Sequence, residues 1–306
     1  YGMALIPWVF IPFLNRFEGT VPSRISTLIF FLGSGFHVAA TSAIYVDPGA
    51  RDLLREQRLR AFLIPPLMVG TSSLLWALTS PDGRDVLLLL YFSWQTHHYT
   101  KQNQGVISFS FNASGLESAS RAERRLILFS GGSAIVAMWS RVLPVETLPL
   151  GIFLKWSPQV GLIGYSLSAA IATAGLIRAP QKYLSIRGVY IAAALVFYLP
   201  LFIYRSPSTG VAAYALAHGF QYLVFIGYLE MGIESTRRIR IRANTIALTI
   251  VGGILLWVIS HRNTPDLVFG GYLGLIMSHF VVDAGIWKLR HKTNREYVLS
   301  RYSFMT

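Results

Sequence analysis

"VLLLLYFSWQTHHYTKQNQG" (Val86–Gly105) begins as pure hydrocarbon and ends among two histidines, three glutamines, an asparagine and a lysine. A segment of about 20 residues is needed to cross ~30 Å of hydrocarbon as a helix. The run is therefore expected to form one membrane pass, Asp85–Lys101, that carries His97 and His98 towards its end. Two imidazoles at that depth are costly unless they face the protein interior.

The whole chain reads as lipid-solvated. Of its 306 residues, 53% are hydrophobic and 13% charged, with a mean hydropathy of +0.48. Soluble domains carry roughly 25% charged residues. There is no cysteine, which excludes disulfides, thiolate metal sites and cysteine nucleophiles and leaves nitrogen and oxygen as metal donors. The net charge of +13 fits cytoplasmic loops rich in Lys and Arg rather than nucleic-acid binding. No secretory signal is visible, and Tyr1 already lies in an apolar stretch without an initiator Met, so the native N-terminus is expected upstream.

Ten apolar segments follow: Met3–Leu14, Ser23–Val46, Arg60–Thr79, Asp85–Lys101, Arg125–Leu143, Pro158–Ile177, Gly188–Tyr204, Gly210–Glu230, Ala243–Ser260 and Leu267–Lys288. Threading them alternately puts Arg16, Arg24, Arg84, Arg141, Lys155, Arg205 and Arg262 on one side and the other 20 of the 27 basic residues on the opposite side. That asymmetry orients the chain, because a missed span would mix the two sets. The expected fold is an all-α, polytopic transmembrane bundle of about ten spans, or nine if the first segment is peripheral, with both termini cytoplasmic. Residues 1–306 form one domain, ending in a basic cytoplasmic tail, 288–306, suited to anionic headgroups. Gln102–Arg124 reads as a long cytoplasmic connection. Val145–Ser157 reads as an apolar outer one that dips into the interface.

Seven histidines are present. His261 at a helix end and His291 in the tail read as solvated. His37, His97, His98, His218 and His279 lie in spans two, four, eight and ten, all of which run inwards. His37, His218 and His279 fall roughly 14–18 Å above the cytoplasmic ends of their helices at ~1.5 Å per residue. The His97–His98 pair is nearer its own end. Imidazoles on four helices at one depth point to a shared site, although any one of them alone is as well explained as an interhelical contact. Asp283, four residues after His279, shares its helix face. It is expected either to ligate through oxygen or to orient a histidine. Gln95 and Gln102 share a face with His98, and Gln221 shares one with His218; these three are expected to support the site. Nitrogen with oxygen and no sulfur suits iron, zinc, copper or manganese. Iron with open positions suits dioxygen chemistry on a lipid-soluble substrate entering from the bilayer.

Single histidines scattered over spans, with "AHGFQY" around His218 and "SHFVVD" around His279, resemble the bacterial Brp/Blh membrane carotenoid-cleaving dioxygenases. The resemblance implies a bacterial inner-membrane enzyme that holds one iron through His37, one of His97 and His98, His218 and His279. The chain departs from that family where a second histidine would follow one turn along the last helix, since Asp283 stands there. Two other readings stay open. One is a non-catalytic haem- or chlorophyll-binding subunit. The other is an acyltransferase with His218 as general base. Membrane lipids and a lipophilic small molecule are the expected partners, with no nucleic acid.

Overall fold

The computed structural model describes residues 35–142, 151–204, 207–232, 235–261, 265–289 and 291–302. The expected first span, Met3–Leu14, lies outside them. Among the described residues the chain is helical, with no strand. The helices are α1 (Gly35–Val46), α2 (Arg51–Glu56), α3 (Leu59–Leu78), α4 (Pro81–Ala113), α5 (Arg121–Val142), α6 (Gly151–Leu154) and α7 (Ser157–Arg178). They continue with α8 (Pro180–Tyr183), α9 (Ile186–Val196), α10 (Pro200–Ile203), α11 (Pro207–Met231), α12 (Ser235–His261), α13 (Asp266–Ile286) and α14 (Lys292–Arg301).

Among the described residues three helices, α3, α7 and α13, are long and apolar enough to cross a membrane. α3 and α7 leave much of that apolar surface uncovered, as at Leu59, Leu78, Ile163 and Ile177. α4 departs most from expectation. It begins on a Ser80 cap that accepts from the Gly83 amide and runs through the supposed connection to Ala113. The polar run after Lys101 therefore stays helical, with Asn103, Ile107, Phe109 and Phe111 buried. The chain turns only at Gly115, whose φ of 64° lies in the left-handed region that glycine enters without strain.

The described residues fall into two compact units, 80–217 and 35–79 with 218–302, and α11 contributes to each. In the first unit, α5 packs along α7 and α4. Ser120 and Glu123 form a reciprocal cap at the start of α5: the Ser120 amide donates to Glu123 Oε2 at 2.7 Å, and the Glu123 amide donates to Ser120 Oγ at 3.2 Å. Arg187 at the start of α9 closes on the same carboxylate, with Nε 2.8 Å from Oε1 and Nη2 2.6 Å from Oε2.

In the second unit the closest pair is α3 with α13. Gly270 and Gly274 of α13, four apart on one face, let the backbones meet. A Cβ at Gly274 would stand 2.6 Å from the Met68 carbonyl oxygen and 2.8 Å from Val69 Cα. Backbone cannot swing aside as a side-chain tip can. Gly274→Ala is therefore expected to cost about 1–3 kcal/mol in unfolding measurements on detergent-solubilised protein. Gly70→Ala, with nothing within 4 Å of its Cβ, is the matched substitution expected to cost nothing.

The C-terminal tail is packed rather than free. Tyr297 donates to Asp47 Oδ2 at 2.9 Å, and Arg301 bridges the same carboxylate at 3.0 Å. Asn294 donates to the carbonyls of Gly285 and Ile286 at 2.6 and 2.8 Å, tying α14 to the last turn of α13. Burial and the adjacent Asp47 charge push the Tyr297 phenol well above its ordinary range.

Candidate metal centre

Three helices of the second unit bring His37 (α1), His218 (α11) and His279 (α13) together, and all three are buried. The His37 ring meets that of His218 edge to face at 4.7 Å between centroids and that of His279 at 4.9 Å. One nitrogen from each ring lies within 4.8 Å of the other two. A first-row metal at ~2.0–2.1 Å from each imidazole would hold the nitrogens about 3.0–3.4 Å apart. Small χ rotations close that gap, so the group can bind a metal ion. Three neutral imidazoles carry no net charge into an apolar interior, and together they leave coordination positions open.

A second polar layer lies one turn further along each helix. Thr41, Tyr222 and Asp283 each follow a histidine by four residues and so share its face. Thr41 Oγ1 lies 2.6 Å from His279 Nδ1 and 3.1 Å from the Tyr222 hydroxyl. Tyr222 also bonds Asp283, and the Trp287 indole N–H donates to Asp283 Oδ1. Because histidine meets histidine and the following polar residue meets its counterpart, α1, α11 and α13 run in the same direction. The alternation expected from the sequence asks the same of spans two, eight and ten. Thr41 reaches up to His279 because helical side chains lean towards their own N-terminus. The tightened turn around it, with the Thr41 amide donating to the Val38 carbonyl at 3.2 Å, aims its hydroxyl inwards.

No family model matches this sequence, and no curated protein or solved structure matches it.

Asp283 is buried but stands outside the three-histidine group. Its carboxylate is engaged by Trp287 and Tyr222. Gln221 is half-buried in the second unit. His97, His98, Gln95 and Gln102 belong to α4 in the first unit, where His98 and Gln95 are buried, Gln102 is half-buried and His97 is exposed. Their neighbours there form a network of their own. Thr96 and the Tyr214 hydroxyl are 3.2 Å apart, Tyr214 donates to Met138 Sδ at 3.2 Å, and Thr100 lies 2.6 Å from the Tyr198 hydroxyl. His291 is exposed just ahead of α14. His261 closes α12.

Thr41 and Trp287 were not singled out by sequence reasoning. The signal was available in their spacing, since Thr41 follows His37 by one turn and Trp287 follows Asp283 by one turn.

A cavity of about 390 Å³ opens beside His279 and Thr41, between α1, α12 and α13. That is the size of pocket that takes a small organic ligand, roughly 300–1,000 Å³. Apart from Thr41, its few hydroxyls turn their protons to the backbone. Ser42 donates to the Ala39 carbonyl at 2.6 Å, Tyr45 to that of Ala61 at 2.8 Å, and Ser278 to that of Gly274 at 2.7 Å. The lining therefore presents mostly carbon. Its rim residues Val251 and Leu255 are 65% and 57% exposed, so it opens on the apolar outer face of α12.

Proposed function

We propose that this chain is an integral membrane enzyme of about ten spans, with both termini cytoplasmic. In it His37, His218 and His279 bind one metal ion, iron, for reaction of dioxygen with a lipophilic substrate. The observation that carries the reading is the convergence of three buried imidazoles beside a carbon-lined cavity that opens laterally. A bacterial inner membrane and a polyene-like substrate follow from the resemblance to the carotenoid-cleaving dioxygenases. Lipid would cover the uncovered apolar faces of α3 and α7.

Iron held by imidazoles supplies binding and activation of dioxygen. The protein supplies the rest. The three histidines hold the ion without adding charge, so the site stays compatible with an apolar ligand. Val38, Leu256 and Val282 wall the cavity and exclude water from the reacting segment. The open rim between α12 and α13 admits the substrate sideways. When both oxygen atoms enter the product, as in cleavage of one C=C bond to two carbonyls, the reaction needs no external reductant.

A haem would have to slot between imidazole rings that here touch edge to face, which favours a bare ion. A general base working alone has no use for two further imidazoles beside it, which weighs against acyl transfer through His218.

Filling the cavity tests the reading. Ala39→Phe is expected to cut substrate-dependent oxygen uptake by on the order of tenfold or more while leaving bound metal unchanged. Unchanged uptake in a metal-replete Ala39→Phe protein would remove the cavity from the mechanism.

A further inference from the structure

We infer that Thr41 and Tyr222 are positioning residues that set the tautomer of His279, holding its proton on Nδ1 and leaving the Nε2 lone pair for the metal. This rests on the proposed metal site. An indole N–H donates and never accepts, so at the far end of the chain Asp283 must accept from Trp287. The same carboxylate accepts a hydrogen bond from the Tyr222 hydroxyl. The Tyr222 oxygen is then available to accept from Thr41, 3.1 Å away. With its own proton spent on Tyr222, Thr41 Oγ1 can only accept from His279 Nδ1 at 2.6 Å. A proton on Nδ1 leaves Nε2 unprotonated in a neutral imidazole.

The chain of bonds thus does what a carboxylate or carbonyl partner does for a ligating histidine elsewhere, but through two hydroxyls. It also explains the burial of Asp283 outside the three-histidine group. The carboxylate acts on His279 from three hydrogen bonds away, through two hydroxyls, and it fixes the direction of every bond between them. Thr41, Tyr222 and Asp283 lie one helical turn from the imidazole layer on three helices of the same unit, and Trp287 closes the chain one turn beyond Asp283. A shift of any one of those helices would therefore break the chain.

The test uses full-length protein in detergent micelles, with ¹⁵N-labelled histidine and with Co²⁺ as a spectroscopic metal probe. In metal-free wild type the His279 resonances are expected to report the Nδ1–H tautomer. Thr41→Val should abolish that preference and weaken Co²⁺ binding about 10–100-fold, whereas Thr41→Ser should restore both. Tyr222→Phe keeps its ring against His37 and His279 and should give a loss in the same direction, so the inference is testable even if Thr41→Val fails to fold. An Nε2–H tautomer in wild type would overturn it. So would a Thr41→Val protein that binds Co²⁺ within threefold of wild type while His279→Ala does not bind. If wild type binds no Co²⁺ at all, the metal reading fails, and the tautomer and its response to Thr41→Val still decide the positioning role separately.

Discussion

Replacing His218 by alanine is expected to weaken metal binding by at least 100-fold and to leave the purified protein with little metal. His37→Ala and His279→Ala should do the same. Loss of a partner that merely supports a ligand costs roughly 10–100-fold, so loss of one of three ligands should exceed that. His218 is the cleanest position, because it sits fully buried on α11 against the edge of His37. Alanine there leaves two donors and a void that water enters poorly. The protein should also lose the stabilisation that bound metal gives the folded state, about 2.7 kcal/mol when free metal is at 100 times Kd. Metal content by mass spectrometry, with unfolding monitored with and without chelator, separates the two effects. A His218→Ala protein that keeps both its metal and its chelator-sensitive stability would dismantle the site. His98→Ala belongs in the same series. His98 is the buried member of the adjacent pair in the first unit, outside the three-histidine group, and the variant is expected to keep its metal.

Arg187→Met carries the largest expected stability loss, about 3–5 kcal/mol, the cost of leaving a buried charge without its partner. Glu123 and Arg187 are both buried and joined by two short parallel bonds. Arg187 also donates to the carbonyls of Glu117 and Ser118 at 2.9 and 3.2 Å, and its guanidinium lies 4.4 Å from the centre of the Phe111 ring. One side chain thus ties the end of α4, the following turn, α5 and α9 together. Arg187→Lys should not rescue it, since a single ammonium cannot reproduce a planar fork with five donors. The double replacement Glu123→Gln, Arg187→Met should cost less than Arg187→Met alone, because no unpaired carboxylate remains.

The same pair has a pH signature. Glu123 lies ahead of the apolar part of α5. Burial opposes its ionisation, but the hydrogen bonds from Arg187 and Ser120 and the charge of Arg187 outweigh it and hold the carboxyl at about 2, below its ordinary 4.5. A carboxyl whose folded value is depressed stabilises the fold fully above about 4.5 and loses that contribution as pH falls towards 2. Acid unfolding of the wild type should therefore steepen across that window. The double variant should show a flatter profile there, and identical profiles would show that the pair contributes nothing to acid stability.

Much of the helix content was legible because apolar runs of the right length leave few alternatives to helix. The expected spans at Arg60–Thr79, Pro158–Ile177 and Leu267–Lys288 coincide closely with α3, α7 and α13. Hydropathy misled at Gln102–Arg124. Lys101, Gln102, Asn103 and Gln104 are polar but compatible with helix, and burial of Asn103 and Phe111 against neighbouring helices carries α4 on to Ala113. The tail misled in the opposite sense. Its basic residues suggested a cytoplasmic segment suited to headgroups, yet Tyr297, Val298 and Tyr302 are buried, and tertiary partners explain why: Tyr297 donates to Asp47, and Tyr302 donates to the Phe225 carbonyl.

At the site, depth counting alone drew attention to His37, His218 and His279, because chemistry that needs several ligands must place them at one level. It could not choose within the His97–His98 pair, since adjacent residues differ by about 100° around a helix. The structure buries His98 and exposes His97. The hydroxyl layer of Thr41 and Tyr222 was hidden for another reason. Threonine and tyrosine are common in membrane helices, and nothing in composition marks the ones that matter. Only the repeated spacing of four residues after each histidine does so, and its meaning depends on three helices running in the same direction.

Metal content and the visible spectrum of the purified wild-type protein, measured on one sample, test the central claim most directly. About one equivalent of iron per chain, with no Soret band and no chlorophyll Qy band, is the predicted result. Protein that binds no metal after reconstitution with ferrous iron, or that carries a haem or chlorophyll spectrum, would contradict it.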